Sequence, residues 1–430
     1  MVKAIKRDIY LNKLISRKNN GLIKIITGIR RCGKSYLLFN LYYDYLLSIG
    51  IEKKNIITLS LDDDFNREYR NVDKLRDYIY KRIIDDNEQY YILLDEVQFA
   101  ITKDEVNSNE PLRIYGVLNG LLRKNNVDIY VTGSNSRFLS SDIMSEFRGR
   151  GDEVKIYPLS FKEFYSATDL DKYDAFDEYQ RYGGLPMLLN KQTGEEKEAY
   201  LNDVLKNTYI KDVIERHELR GNNVIDDVVN VLASSVGSLT NPYKLANTFK
   251  SNGIKVSDIT ISLYLDYLMD AFIISRSKRF DIKGRKYINT PYKYYFTDLG
   301  IRNSKLGFTQ MEPTHILENI IYNELLIRGY NVDVGVIEHV IVNDNGKRQN
   351  VPLEVDFVCN KYSELIYIQS AFSIPDEEKM RQECASLDRI NDSFKKIIIT
   401  MDRAKPWRNE KGYLILNLFD FLLDEDSLKG

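Results

Sequence analysis

Apolar positions in the first 160 residues come in two rhythms. Leu22-Ile23-Lys24-Ile25-Ile26-Thr27, Tyr90-Tyr91-Ile92-Leu93-Leu94, Asp128-Ile129-Tyr130-Val131-Thr132 and Val154-Lys155-Ile156-Tyr157 are short, nearly continuous apolar runs, the pattern of strands buried on both faces. After the first run, Leu37, Leu38, Leu41, Tyr45 and Leu46 recur at helical spacing until Gly50, which predicts a helix over Ser35 to Leu47. Strand, loop, helix and a further strand one crossover later is the order of a parallel sheet, so the fold class is α/β.

Beyond residue 165 the rhythm changes. From Tyr173 to about Arg220 the pattern is helical, with Gly183-Gly184-Leu185-Pro186 as a hinge between helices and Asn202 to His217 as one long helix. Three short helices follow, Val224 to Ser235, Tyr243 to Lys250 and Ser257 to Met269, and then two strands, Phe272 to Phe280 and Lys286 to Phe296, joined at Ile282-Lys283-Gly284-Arg285. That succession reads as a winged helix-turn-helix, with Ser257, Asp258 and Thr260 facing a groove. These changes of pattern divide the chain into a nucleotide core at 1–165, a helical lid at 166–222, a winged-helix segment at 223–303 and a last α/β segment at 304–430.

The loop after the first strand carries the chemistry. Gly28-Ile29-Arg30-Arg31-Cys32-Gly33-Lys34-Ser35 matches G-x-x-x-x-G-K-[ST], the P-loop pattern. Its glycines let successive N–H groups face phosphate, Lys34 neutralises β/γ charge and the Ser35 hydroxyl reaches Mg2+. The helix that begins there adds its own N-terminal amides, so residues 28–36, ending at Tyr36, are expected to bind ATP.

The second run ends in Asp95-Glu96. Asp95 is assigned to Mg2+ and Glu96 to polarising the attacking water, because phosphoryl transfer needs metal charge and a positioned nucleophile. After the third run, Asn135 is the candidate for a polar sensor between the acids and the γ-phosphate, with Thr132 and Ser134 as competitors. Arg150, with Arg148 in reserve, is the candidate for stabilising transition-state charge on the nucleotide of a neighbouring subunit, which implies a homo-oligomer.

Taken in order, Gly28-x-Arg30-Arg31-x-Gly33-Lys34-Ser35, Leu94-Asp95-Glu96-Val97-Gln98, Thr132-Gly133-Ser134-Asn135-Ser136, Gly149-Arg150, Pro158-Leu159-Ser160-Phe161-Lys162-Glu163-Phe164 and Gly183-Gly184-Leu185-Pro186 resemble the prokaryotic AAA-type ATPases that carry a C-terminal domain of unknown function, DUF4143. The resemblance implies an ATP-binding AAA-type core, a helical lid, a winged helix and a nuclease-like C-terminal fold.

The last segment resembles the PD-(D/E)xK nuclease fold, in which a helix glutamate, a strand aspartate and an acid-x-lysine on the next strand hold Mg2+ and activate water. Glu318 and Asp356 match, whereas Gln369 stands in place of the acid and Ala371 in place of the lysine. Loss of a ligand charge and of an ammonium each costs orders of magnitude in rate, so this reading expects a binding platform rather than a working nuclease, with Lys361 or Lys379 as substitutes for the lysine.

Composition narrows the partners. Net charge is −2, so affinity for DNA has to come from a local patch, and the hairpin supplies one in Lys278, Arg279, Lys283, Arg285 and Lys286, with Arg276 and Lys293 beside them. The alternative partner is a protein docked on the same segment. Cys32, Cys359 and Cys384 form no disulfide framework, and His217, His315 and His339 are scattered, so no zinc site is expected. Met1 to Asn20 has no apolar leader core and no run approaches the roughly 18 apolar residues of a membrane span, so the expected location is cytoplasmic. The function expected is Mg2+-dependent ATP hydrolysis driving a switch or motor. The alternatives are an ATP-controlled metal-dependent nuclease and a nucleotide-binding scaffold without turnover.

Overall fold

The computed structural model describes residues 5–102, 104–105, 110–134, 149–219, 223–342 and 348–429. They form two units: residues up to Pro158 together with Asp270–Phe272, and Leu159–Met269 together with Ile273–Gly430.

In the first unit, β1 (Ile23–Thr27), β2 (Ile56–Ser60), β3 (Tyr90–Asp95), β4 (Val127–Gly133) and β5 (Gly151–Lys155) make a sheet in the order β2-β3-β4-β1-β5. Every neighbouring pair is parallel. The α/β parallel sheet expected from the apolar runs is present, and β5 begins three residues earlier than the run suggested. On one face Ile23, Ile25, Ile92, Leu94, Ile129 and Val131 pack beneath the helices Val72–Tyr80 and Arg113–Leu121. The strands are also covered on the other face, where Lys24 forms a buried ion pair with Asp128, whose Oδ2 accepts from the Tyr130 hydroxyl and the Asn19 amide, each at 2.9 Å. These hydrogen bonds satisfy a charge pair that burial would otherwise make costly.

Strand order matters more than strand number. β4 lies between β1 and β3, with Ile26 opposite Thr132 and Leu94 opposite Val131. The C-terminal ends of β1, β4 and β3 therefore stand side by side, and whatever follows β1 is flanked by the ends of the other two.

The second unit starts with helices Phe161–Ser166 and Lys172–Tyr182, the first held by a capping box between Ser160 and Glu163. Gly183 and Gly184, the expected hinge, lie between helical segments and are tightly packed. Gly184 donates its N–H to Asp298 at 2.7 Å and accepts from Leu159 at 2.8 Å, and a Cβ on Gly183 would lie 2.3 Å from Asp298 Oδ1. The expected long helix runs over residues 194–216, π-wound at Val204–Ile210.

Helices Asn223–Ser234, Pro242–Ser251 and Asp258–Asp270 follow, then β6 (Ile274–Asp281) and β7 (Lys286–Phe296). After helices Leu299–Lys305 and Pro313–Ile327 come β8 (Asn331–Val342), β9 (Arg348–Lys361), β10 (Glu364–Ala371), helix Glu377–Leu387, β11 (Lys395–Thr400), β12 (Trp407–Arg408) and β13 (Leu414–Asn417). All eight strands form one mixed sheet in the order β12-β13-β11-β10-β9-β8-β6-β7. The hairpin β6–β7 thus shares a sheet with strands beyond residue 304, since β6 pairs in parallel with β8. Ile282 in the hairpin turn is buried with Ile337, Val355 and Tyr367, and that apolar burial joins the turn to the core. Among the described residues no helix is long and apolar enough to cross a membrane.

Candidate nucleotide site

β1 delivers the chain to the loop. The backbone then passes through φ 148° at Gly28, 64° at Arg31 and 99° at Gly33 before the helix opens at Lys34. A Cβ at Gly28 would lie 2.2 Å from the carbonyl oxygen of Ile156, so only glycine fits against β5's continuation. The positive φ values at Arg31 and Gly33 suit a loop that turns N–H groups to one side, as an anion nest requires.

Lys34 is buried, and its ammonium lies across the loop, 3.1 Å from Gly28 O, 3.2 Å from Ile29 O and 3.8 Å from Glu96 Oε1. Ser35 and Tyr36 are exposed, Arg30 is half-buried and Arg31 exposed. Cys32 is fully buried, and burial pushes its thiol up from the ordinary range, so it is a packing residue of the loop rather than a reactive thiolate.

The loop is braced by a residue that the sequence did not single out. Arg7 is buried and donates to the Cys32 carbonyl at 2.8 Å and to the Tyr157 carbonyl at 2.7 Å. It clamps the middle of the loop to the chain leaving β5. A single arginine in a basic N-terminal stretch has no local signature of such a role.

β3 presents the two acids. Asp95 and Glu96 are both buried, and Glu96 has a left-handed backbone, φ 52°. Burial pushes the Asp95 carboxyl up, hydrogen bonds from Ser35 and Thr132 oppose this, and Glu96 nearby reinforces it. Thr132, from β4, donates its hydroxyl to Asp95 and accepts the Glu96 N–H at 3.0 Å. Glu96 Oε2 accepts from the Gln98 amide and, at 3.3 Å, from the Ser134 hydroxyl. Of the three sensor candidates, Thr132 and Ser134 are at the acids, while Asn135 falls outside the described residues, as does Arg148. Gln98 is a contact the sequence reading missed, although it sits two residues after the motif glutamate.

Arg150 is not brought to this loop. It precedes β5, whose first residue Gly151 pairs with Ile23 at the start of β1, and the Arg150 carbonyl accepts from Ile23 N at 2.8 Å. A strand of this length separates it from the loop by roughly 16 Å.

In the second unit the nuclease-like positions also meet. Asp356 Oδ2 accepts from Ser370 N at 2.8 Å and from the Ser370 hydroxyl at 2.7 Å, while Gln369 Oε1 lies 3.4 Å from Asp356 N. Glu318 is pushed up to about 7 by burial, opposed by Lys293 and reinforced by Asp356. Neither substitute lysine is there: Lys361 donates to Arg328 O at 2.6 Å and Lys379 pairs with Glu383 at 2.6 Å. Among the hairpin cations Lys278, Lys283, Arg285 and Lys286 are exposed, Lys283 lying 3.5 Å from Glu338 O, and Arg279 is half-buried.

Residues 20–165 match a family model described as an AAA domain, and residues 173–312 match a domain of unknown function, DUF8612. An uncharacterized protein of Haemophilus influenzae is 35% identical over 406 residues, 93% of this chain and 94% of that one. The chain belongs to that protein's family. An uncharacterized protein of Methanocaldococcus jannaschii is 29% identical over 402 residues, 88% of this chain and 80% of its own length. The Walker-type ATPase of Pyrococcus abyssi superposes with a TM-score of 0.48 at 14% identity, covering 70% of this chain and 96% of that one. The AAA-type P-loop domain of this family is the one expected from the loop and the acids. The domain that follows corrects the expectation of DUF4143: the matched family is DUF8612, whose span ends at residue 312, before most of the eight-stranded sheet.

Proposed function

We propose that this chain binds ATP at the loop 28–36, hydrolyses it, and uses the cycle as a conformational switch coupled to a partner through its second unit. The observation that carries the reading is the convergence of Lys34, Asp95, Glu96 and Thr132 where β1, β4 and β3 end together. A buried lysine whose contacts are two carbonyls and a carboxylate is poised to exchange them for phosphate oxygens. The Ser35 hydroxyl and Asp95 carboxylate are hard oxygen donors that fit Mg2+. When bound, Mg2+ supplies charge neutralisation on the phosphates. Glu96 orients the attacking water once it leaves Gln98 and Ser134. Arg150, at the far end of β5, serves a second copy of the chain in a homo-oligomer rather than its own nucleotide.

The exposed Lys278, Lys283, Arg285 and Lys286 support DNA as the partner. So does the order of three helices and a hairpin, with Thr240 bridging Tyr292 of β7. A specific observation favours a protein partner as the second reading. On helix Asp258–Asp270 the exposed positions are Asp258, Ile259, Leu263 and Asp266, an acidic and apolar face that DNA phosphates do not suit.

Steady-state turnover with Mg2+ tests both levels, using wild type, Lys34→Ala and Glu96→Gln with and without duplex and single-stranded DNA at two salt concentrations. Hydrolysis should vanish in Lys34→Ala, and Glu96→Gln should retain ATP while losing turnover. Stimulation by DNA that fades with salt supports the DNA reading, and a rate indifferent to DNA supports the protein reading. A turnover unaffected by Lys34→Ala rejects the site.

A further inference from the structure

The resemblance read from the sequence makes Glu318 and Asp356 metal ligands, so the donors around them test whether a divalent cation fits. Glu318 Oε1 accepts from Lys293 Nζ at 2.7 Å and from the Tyr295 hydroxyl at 2.6 Å. The same ammonium stands 2.6 Å from Glu354 Oε1, and although burial opposes its charge, Glu318, Asp356 and Glu354 together push its pKa up. Asp356 Oδ2 is already occupied by the N–H and hydroxyl of Ser370. A Cβ at Gly237 would come within 3.1–3.3 Å of the Glu318 carboxyl atoms, so the chain leaving helix Asn223–Ser234 covers that carboxylate. Gln369 adds only a neutral amide. A hard divalent cation needs about six oxygens with lone pairs turned toward it, and an ammonium already held by Glu318 Oε1 and Glu354 Oε1 competes for those oxygens. Among the described residues no group of three or more His, Cys, Asp or Glu is arranged to hold a metal ion. The residues do not fit the metal.

We infer that the Lys293 ammonium takes the place of a divalent cation here, making a metal-free ionic joint that ties β7 to β9 and to helix Pro313–Ile327 in a unit that does not cut phosphodiesters. Lys293 comes from the hairpin, opposite Ser277 of β6, and is 3% exposed. It therefore belongs to the carboxylates and not to a DNA-facing patch. The charge arrives from the edge strand of the sheet, not from the position two residues after Gln369 that the nuclease pattern reserves for it. Two acids on separate elements, Glu318 on the helix and Glu354 on β9, share one buried cation. Removing that cation leaves acidic groups with nothing to balance them, a condition that a metal ion relieves.

The test is Mn2+ binding to nucleotide-free, full-length protein, read as loss of the free-ion electron paramagnetic resonance signal. Wild type and Asp356→Asn are expected to bind the same number of ions. Lys293→Met is expected to gain one ion that the double variant with Asp356→Asn loses. A wild-type site that Asp356→Asn removes overturns the inference, as does a Lys293→Met variant that is folded by circular dichroism and gains nothing. Should Lys293→Met fail to fold, the comparison of wild type with Asp356→Asn still decides. Plasmid nicking in Mn2+ gives a second readout: none is expected, and nicking that Asp356→Ala abolishes rejects the proposal.

Discussion

Thr132 donates its hydroxyl to the Asp95 carboxylate and with the same oxygen accepts the Glu96 N–H at 3.0 Å. One side chain on β4 thereby fixes both acids at the end of β3. The pairing exists because β4 lies between β1 and β3, and it links the Asp95 carboxylate to the Glu96 backbone through one neutral hydroxyl.

Thr132→Val keeps the shape and removes both hydrogen bonds. A buried donor or acceptor left without its partner costs about 1–3 kcal/mol, so turnover should fall about 10- to 100-fold. ATP affinity, carried mainly by the loop, should change much less. Kinetics beside calorimetric titration with ATP separates the two, and a loss confined to affinity counts against the assignment.

Arg7→Met strips the Cys32 and Tyr157 carbonyls of their buried donor. Stability of the first unit should drop by about 2–4 kcal/mol, with ATP binding weakened because the loop loses its brace. Urea unfolding with and without ATP checks both effects. Arg7→Lys should recover only part, since one ammonium cannot reproduce a forked donor.

Gly300 lies so close to helix Lys172–Tyr182 that a Cβ would sit 1.9 Å from the Tyr182 carbonyl oxygen. Gly300→Ala forces the junction of Gly183, Gly184 and Asp298 apart and should destabilise the second unit by about 1–3 kcal/mol or more. Gly253→Ala is a useful contrast, since no atom lies within 4 Å of a Cβ there and only its φ of +81° opposes the change. Differential scanning calorimetry of the two variants should give the larger loss to Gly300→Ala.

Asp298 is buried among backbone N–H groups with no counter-cation among the described residues, and burial pushes its carboxyl up to about 6 from an ordinary 3.8. The folded state therefore holds this proton over a range where the unfolded state has released it. Stability should fall as pH rises from about 4 to about 6 and level off above, by at most on the order of 3 kcal/mol. Unfolding midpoints across that range should show the slope in wild type and lose it in Asp298→Asn.

What the sequence by itself determined was local. The loop spelled out an expectation of phosphate binding because glycine, lysine and serine at that fixed spacing suit a phosphate cradle, and β1, β3 and β4 announced themselves as nearly continuous apolar runs ending in polar chemistry. The acids were legible for the same reason. Tertiary structure decided which strands are neighbours, and with that the role of Thr132, the bracing of the loop by Arg7 and the capture of Lys293 by Glu318 and Glu354. In sequence Lys293 is one more basic residue of a hairpin, and Arg7 one more of a basic N-terminus. Contacts between residues far apart in the chain leave no period or spacing behind. They are set by which apolar faces bury together, as Ile282 in its turn shows by drawing a hairpin into a sheet whose other strands lie beyond residue 304.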